Sequence, residues 1–157
     1  MLKSPSSHTH STPLPTARPK GTLDPSRREG QGGGSGYPQK QHGVPVKRYV
    51  QTMDLKDDPA LIAEYRRRHD SEHSWKEIRD GIREVGILEM EIYILGTRLV
   101  MIVETPMDFD WDSAMARLAK LPRQQEWEDY MAMFQQCAEG ATSNEKWQMM
   151  ERMFYLY

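Results

Sequence analysis

The stretch with the clearest chemical potential is Glu64-Tyr65-Arg66-Arg67-Arg68-His69-Asp70. Leu61, Tyr65 and His69 recur at i, i+4 and i+8, which on a helix places them along one side. A phenol and an imidazole four residues apart can share one small ligand. Imidazole is also the side chain best suited to giving and taking a proton near neutral pH. The residues alone leave open a second reading, in which His69 is a packed histidine at a helix end.

The elements that must position this pair follow from the patterning. Tyr49-Val50-Gln51-Thr52-Met53 predicts a strand from Lys47 to Leu55, broken by Asp57-Asp58-Pro59. Asp58 suits an N-cap and Pro59 a first helical turn. Ser74-Trp75-Lys76-Glu77 has capping-box form, and Trp75, Ile78, Ile82 and Val85 continue an apolar stripe up to Gly86. Residues 58–85 are therefore expected to be helical, with an interruption near 70–74.

Leu88, Met90, Ile92 and Ile94 alternate with Glu89, Glu91 and Tyr93. After Gly96-Thr97 comes the run Leu99-Val100-Met101-Ile102-Val103, expected to be a strand covered on both faces and paired with its predecessor as a hairpin. A helix capped by Asp108 or Asp110 carries Trp111, Ala114, Met115 and Leu118. Pro122 interrupts it, and Trp127, Tyr130, Met131 and Phe134 resume it to about Cys137. Residues 140–144 read as loop and 150–157 as a last strand. The order β-α-β-β-α-β is the ferredoxin-like plan of the α+β class, an antiparallel sheet with helices on one face. The other face calls for a cover, which a homodimer packed sheet to sheet supplies.

Composition divides the chain. Residues 1–46 hold 7 of the 11 glycines, 7 of the 10 prolines and one aromatic residue, Tyr37, too little apolar surface to offset ordering. This tail is expected to be disordered, with residues 47–157 forming the domain. The tail carries a net +4 and the rest a net −6, which argues against a nucleic-acid site. No segment reaches the roughly 18 apolar residues of a membrane span. Cys137, the single cysteine, excludes an internal disulfide and suits a reducing, cytoplasmic compartment. The basic, Ser/Thr-rich tail leaves organelle targeting open, although it lacks the amphipathic pattern of a mitochondrial leader. The five histidines show no ligand spacing for a metal, and Gly32-Gly33-Gly34 precedes no strand-to-helix unit that would make it a phosphate loop.

Arg48-Tyr49-Val50, Glu64-Tyr65-Arg66-Arg67-Arg68-His69, Gly86 leading to Ile92-Tyr93, Val103-Glu104, Trp127 with Tyr130-Met131, and Phe154-Tyr155-Leu156 together resemble the L-rhamnose mutarotase family. The resemblance covers about residues 47–157. It implies ferredoxin-like monomers paired as a dimeric α/β barrel, interconversion of the α and β anomers of a 6-deoxy-hexose, and no metal or organic cofactor. It also implies that His69 is the proton donor and that Tyr65 and Trp127 contact the sugar.

Met90 stands where rhamnose-specific members have a tyrosine, and Glu128 where they have a second tryptophan. About two extra residues separate His69 from Trp75. These departures leave L-fucose or another deoxy sugar as open as L-rhamnose. Glu104, Glu89 and Glu91 on the sheet's uncovered face are candidates for the base or for holding sugar hydroxyls, or else form a solvated strand edge or pair with Arg66–Arg68, and His73 is a candidate for a place in the pocket. Trp75, Trp111 and Trp147 read as packing residues, and the arginine run as solvated or ion-paired surface. Two other functions remain compatible with the residues. One is a haem-binding or oxidative enzyme on the same architecture, and the other a non-catalytic sugar-binding dimer.

Overall fold

The first strand, β1 (Val46–Asp54), sends Tyr49, Gln51 and Met53 to one face, and that alternation fixes which side of the sheet becomes the core. The structure, a computed structural model, describes residues 35–157, so most of the tail expected to be disordered lies outside the described residues. The chain divides into two units, Met1–Gln39 and Lys40–Tyr157, and every helix and strand named here belongs to the second.

After β1 come α1 (Pro59–His69), α2 (Lys76–Glu84), β2 (Glu89–Leu95), β3 (Arg98–Pro106), α3 (Trp111–Leu118), α4 (Gln124–Ala132), the short α5 (Ser143–Lys146) and β4 (Gln148–Met149). The sheet order is β2-β3-β1-β4 and all pairings are antiparallel, as the ferredoxin-like plan requires. Tyr49 lies opposite Val103, Gln51 opposite Met101 and Met53 opposite Leu99, while Met90 and Ile92 flank Val103 and Met101 from β2. This inner face packs against Leu61 and Tyr65 of α1, Ile82 of α2, Ala114 and Leu118 of α3, and Trp127 and Met131 of α4.

Local chemistry sets the boundaries. The Asp58 carboxylate accepts from the backbone N–H groups of Ala60 and Leu61 and caps α1, with Pro59 in its first turn. Gly86 stops the α2 region with a φ of 100° and Gly96 turns the hairpin at 61°, both in the left-handed region that suits glycine. The capping box expected at Ser74 does not form. Trp75 is the N-cap of α2 and makes no side-chain cap bond. Asp70 organises the intervening turn instead, its Oδ1 accepting from the N–H groups of Glu72 and His73 at 2.9 and 2.7 Å.

Three further expectations need correction. The run in β3 is buried only at alternate residues, Leu99, Met101 and Val103; Val100 and Ile102 lie half-buried on the outer face, which no helix among the described residues covers. Helix α4 ends at Ala132 and not near Cys137. There the chain extends: Phe134 C=O accepts from Lys56 N–H and Gln136 N–H donates to Asp54 C=O, so Gln135 bridges Leu55 beyond the end of β1.

The last strand is the two-residue β4, followed by a single bond from Met150 N–H to Val50 C=O. Residues 150–157 have no regular structure, and Met153, Phe154, Tyr155, Leu156 and Tyr157 are exposed, because this segment finds no further strand to pair with inside the chain.

Phe134 is 2% exposed and meets the rings of Tyr65 and Tyr130, joining α1, α4 and the sheet edge. Phe134→Ala is expected to cost about 3–5 kcal/mol by urea denaturation, as for other buried aromatic truncations.

Candidate active site

His69 occupies the last residue of α1, one turn beyond Tyr65, and the two rings lie 4.2 Å apart. Its Nδ1 is 2.8 Å from the Tyr65 backbone carbonyl. A carbonyl can only accept, so Nδ1 carries the hydrogen and, in the neutral ring, Nε2 keeps a free lone pair. Burial pushes the imidazole below its ordinary value of 6.5, with the nearby Arg79 charge acting in the same direction; the Tyr65 carbonyl bond opposes them and does not prevail. Tyr65 is 4% exposed, and burial drives its phenol well above the usual tyrosine range, so it stays protonated.

Trp127, from α4, meets His69 edge to face at 5.4 Å, and Trp75 braces Trp127 at 5.2 Å. Trp75 also stacks parallel to Tyr130 at 5.9 Å and carries the Arg123 guanidinium 4.0 Å from its ring. Arg123 enters α4 with a φ of 63°, unusual for a side chain of its size, and is anchored there by bonds to Glu126 and Glu77. Trp75 is thus a packing residue, as expected, and what it packs is the site.

On the other side, Glu64 accepts from Arg67 and Arg68, whose guanidiniums hold its carboxyl at about 2, and the Tyr130 hydroxyl donates to the same carboxylate. Arg67 and Arg68 are therefore ion-paired and Arg66 is exposed, as expected of solvated or ion-paired surface, and Arg68 and Glu64 tie α1 to α4 through Tyr130.

His69, Tyr65 and Trp127 line one cavity of about 90 Å³ between the inner sheet face and the helices. Met90, Ile92 and Met101 form its sheet wall. Trp111 and Trp147, expected only to pack, also border it. A wider groove of about 740 Å³ runs along α3, α4 and the segment before α5, and shares Gln124, Glu128 and Gln135 with the cavity. Cys137 lines that groove.

Glu128 faces this shared boundary. It accepts from Gln124 Nε2 at 3.0 Å and pairs with Lys146 at 3.2 Å, and Lys146 also donates to the Glu128 backbone carbonyl. The Lys146 side chain is 3% exposed, held by α5, whose capping box joins Thr142 and Glu145. Lys146 carries no sequence signal, since the pair depends on a helix of one turn. Gln51 could have been flagged by its inward parity on β1 between Tyr49 and Met53; Gln135 could not, because it follows a helix that ends earlier than its spacing suggests.

Other candidates lie elsewhere. Glu104 sits on the outer face with Arg48 at 2.5 Å and His42 at 3.5 Å, and Glu91 accepts from Tyr93 there. Neither these nor Glu89 line the cavity. His73 bonds Asp70 at 2.8 Å and also stays out of it. Among the described residues no group of three or more His, Cys, Asp or Glu side chains could hold a metal ion, and no helix is long and apolar enough to cross a membrane.

Removing one partner of the Glu128–Lys146 pair leaves a charge in a largely dry site. Lys146→Met is expected to cost about 2 kcal/mol, below the fully buried case because Glu128 keeps some solvent, and Glu128→Leu/Lys146→Met to regain most of it in a double-mutant cycle.

Residues 48–156 match the sequence profile of the L-rhamnose mutarotase family. An L-fucose mutarotase of Xanthomonas campestris pv. campestris is 40% identical over 111 residues, 71% of this chain and 89% of that protein. A protein of Dictyostelium discoideum is 35% identical over 114 residues, 70% of this chain and 90% of the relative. In fold, the chain is similar to the crystal structure of an L-rhamnose mutarotase from Formosa agariphila, with a TM-score of 0.53 and 21% identity over 71% of this chain and 99% of that one. A profile match spanning β1 to the C-terminal segment, carried on a ferredoxin-like sheet with Tyr65, His69 and Trp127 around one cavity, means that the chain belongs to the L-rhamnose mutarotase family.

Proposed function

We propose that this protein is a carbohydrate isomerase, a mutarotase that interconverts the α and β anomers of a 6-deoxy-hexose, with His69 as its proton-transfer group and Tyr65 and Trp127 as sugar contacts. The observation that carries this reading is the tautomer of His69: Nδ1–H is committed to the Tyr65 carbonyl, and burial keeps the ring neutral at pH 7. A neutral ring begins as a base, so its role as donor follows from a proton it has first taken.

The cycle balances with one nitrogen. Nε2 takes the proton of the anomeric hydroxyl, the bond from C1 to the ring oxygen breaks as the C1 carbonyl forms, and the imidazolium gives that proton to the departing ring oxygen. Both oxygens are attached to the same carbon, so one imidazole reaches each in turn. Rotation about the C1–C2 bond presents the other aldehyde face, and the reverse steps close the ring. The Tyr65 phenol, kept protonated by burial, is suited to donate to a sugar oxygen, and the Trp127 ring to pack on the C–H side of the pyranose.

The L-fucose mutarotase relative, together with Met90 and Glu128 in place of the aromatic residues of rhamnose-specific members, favours L-fucose over L-rhamnose. The half-buried Val100 and Ile102 on the sheet's open face and the exposed 153–157 segment support a homodimer. A lone free cysteine suits a reducing cytoplasm.

Anomer exchange of L-fucose and L-rhamnose, followed by saturation-transfer NMR, tests the activity. His69→Ala is expected to fold normally and to lower exchange by about 10²-fold or more. Unchanged exchange removes His69 from the reaction.

The pH profile tests the tautomer. Activity that needs the neutral ring should be on its plateau at pH 7 and fall on the acid side with an apparent pKa below 6.5. The same burial makes the unfolded chain the better proton binder. The His69 contribution to stability is therefore fully present above pH 6.5 and is lost as pH falls from there through the lower folded value. Comparing the urea midpoints of wild type and His69→Ala between pH 5 and 8 isolates that term.

A further inference from the structure

Two glutamine side chains border the same cavity, and nothing in the reaction described above uses them. Gln51, from β1, is 3% exposed, and Gln135, beyond α4, is 4% exposed. The side-chain oxygen of each is fully buried and has no hydrogen-bond partner among the described residues. Buried carbonyl oxygens are nearly always paired, because leaving water without a replacement donor is costly. Two such oxygens bordering one cavity, beside a histidine with a free Nε2, indicate a site that takes hydrogen-bond donors from outside the chain.

Sheet pairing fixes the backbone of each, and both side chains are buried. Gln51 sits inside the ladder, opposite Met101 on β3 and Met149 on β4. The Gln135 backbone is fixed by its bridge to Leu55, with Phe134 and Gln136 bonded to Lys56 and Asp54 on either side. The lining includes apolar Met90, Met101 and Met131 and the N–H groups of Trp111, Trp127 and Trp147, and no group among the described residues bonds either glutamine oxygen.

We propose that Gln51 and Gln135 form the polyol subsite of the cavity, accepting hydrogen bonds from secondary hydroxyls of the sugar while its anomeric carbon meets His69. This rests on the mutarotase reading for the identity of the ligand, a monosaccharide. The pair sets specificity, because a buried acceptor discriminates against an epimer or deoxy analogue that turns its hydroxyl away.

Gln51→Met and Gln135→Met keep the side-chain length and remove the acceptor. For exchange of L-fucose and L-rhamnose by NMR, each is expected to raise KM about tenfold for the preferred sugar while leaving kcat within a few-fold, the signature of lost uniform binding. Calorimetry on the same proteins should show a matching loss of affinity. The sugar-free variants should melt no lower than wild type, since an unpaired buried oxygen has been replaced by apolar atoms. A panel of 2-, 3- and 4-deoxy analogues should identify for each glutamine one analogue that wild type binds more weakly and the methionine variant does not penalise further.

Unchanged KM and affinity in both variants, or a lowered melting temperature with unchanged sugar binding, would overturn the subsite in favour of a structural role. Wild-type protein that binds the sugars and loses that binding in the variants, yet accelerates no exchange, keeps the subsite and overturns the mutarotase reading. Wild-type protein that binds neither sugar overturns both.

Discussion

The site depends on one hydrogen bond, from His69 Nδ1–H to the Tyr65 carbonyl, within the last turn of α1. It uses the second lone pair of a carbonyl in the last turn of the helix to choose the tautomer of the ring that follows. A helix C-terminus by itself favours a protonated imidazole. Here burial, with the Arg79 charge, lowers the imidazole below its ordinary value despite the Tyr65 carbonyl bond. The carbonyl bond thus orients the imidazole, and burial decides its charge.

Much of the surrounding structure keeps that ring in place. Tyr65 and Phe134 sit in the core beneath it, and Trp127, Trp75 and Tyr130 form a continuous aromatic array on the helical side, flanked by Arg123 and Arg68. Planar side chains with two rotatable bonds lose little freedom when packed in this way, so the array is stiff. Polar ties close it, with Glu64 between Arg68 and the Tyr130 hydroxyl at one end and Glu128 with Lys146 at the other.

The architecture was legible because its periodicities are strong. Alternation in β2 and the helical stripes of α2 and α3 come from residues whose burial is decided by the nearest layer, and the element order then restricts the sheet to the ferredoxin-like arrangement. Boundaries that depend on competition between distant segments were not legible. Helical spacing continues through Phe134, but the edge of β1 offers that stretch backbone partners and takes it out of the helix. Residues 150–157 have the composition of a strand, yet β1 supplies a ladder for only two residues before them. Propensity describes what a segment can do, and pairing requires a neighbour.

The sequence by itself determined the catalytic candidate and its ring partner, because an i, i+4 relation on a helix is local geometry that survives in any fold containing that helix. Only the tertiary structure decided which face of the sheet the pair would look onto, that Gln51 and Gln135 would meet there, and that Glu104 and His73 would not. Those outcomes depend on strand register and on where a helix stops. Both are set by contacts between residues far apart in the chain, about 80 positions for Leu55 and Gln135 and about 100 for Gln51 and Met149, and spacing along the chain carries no record of them.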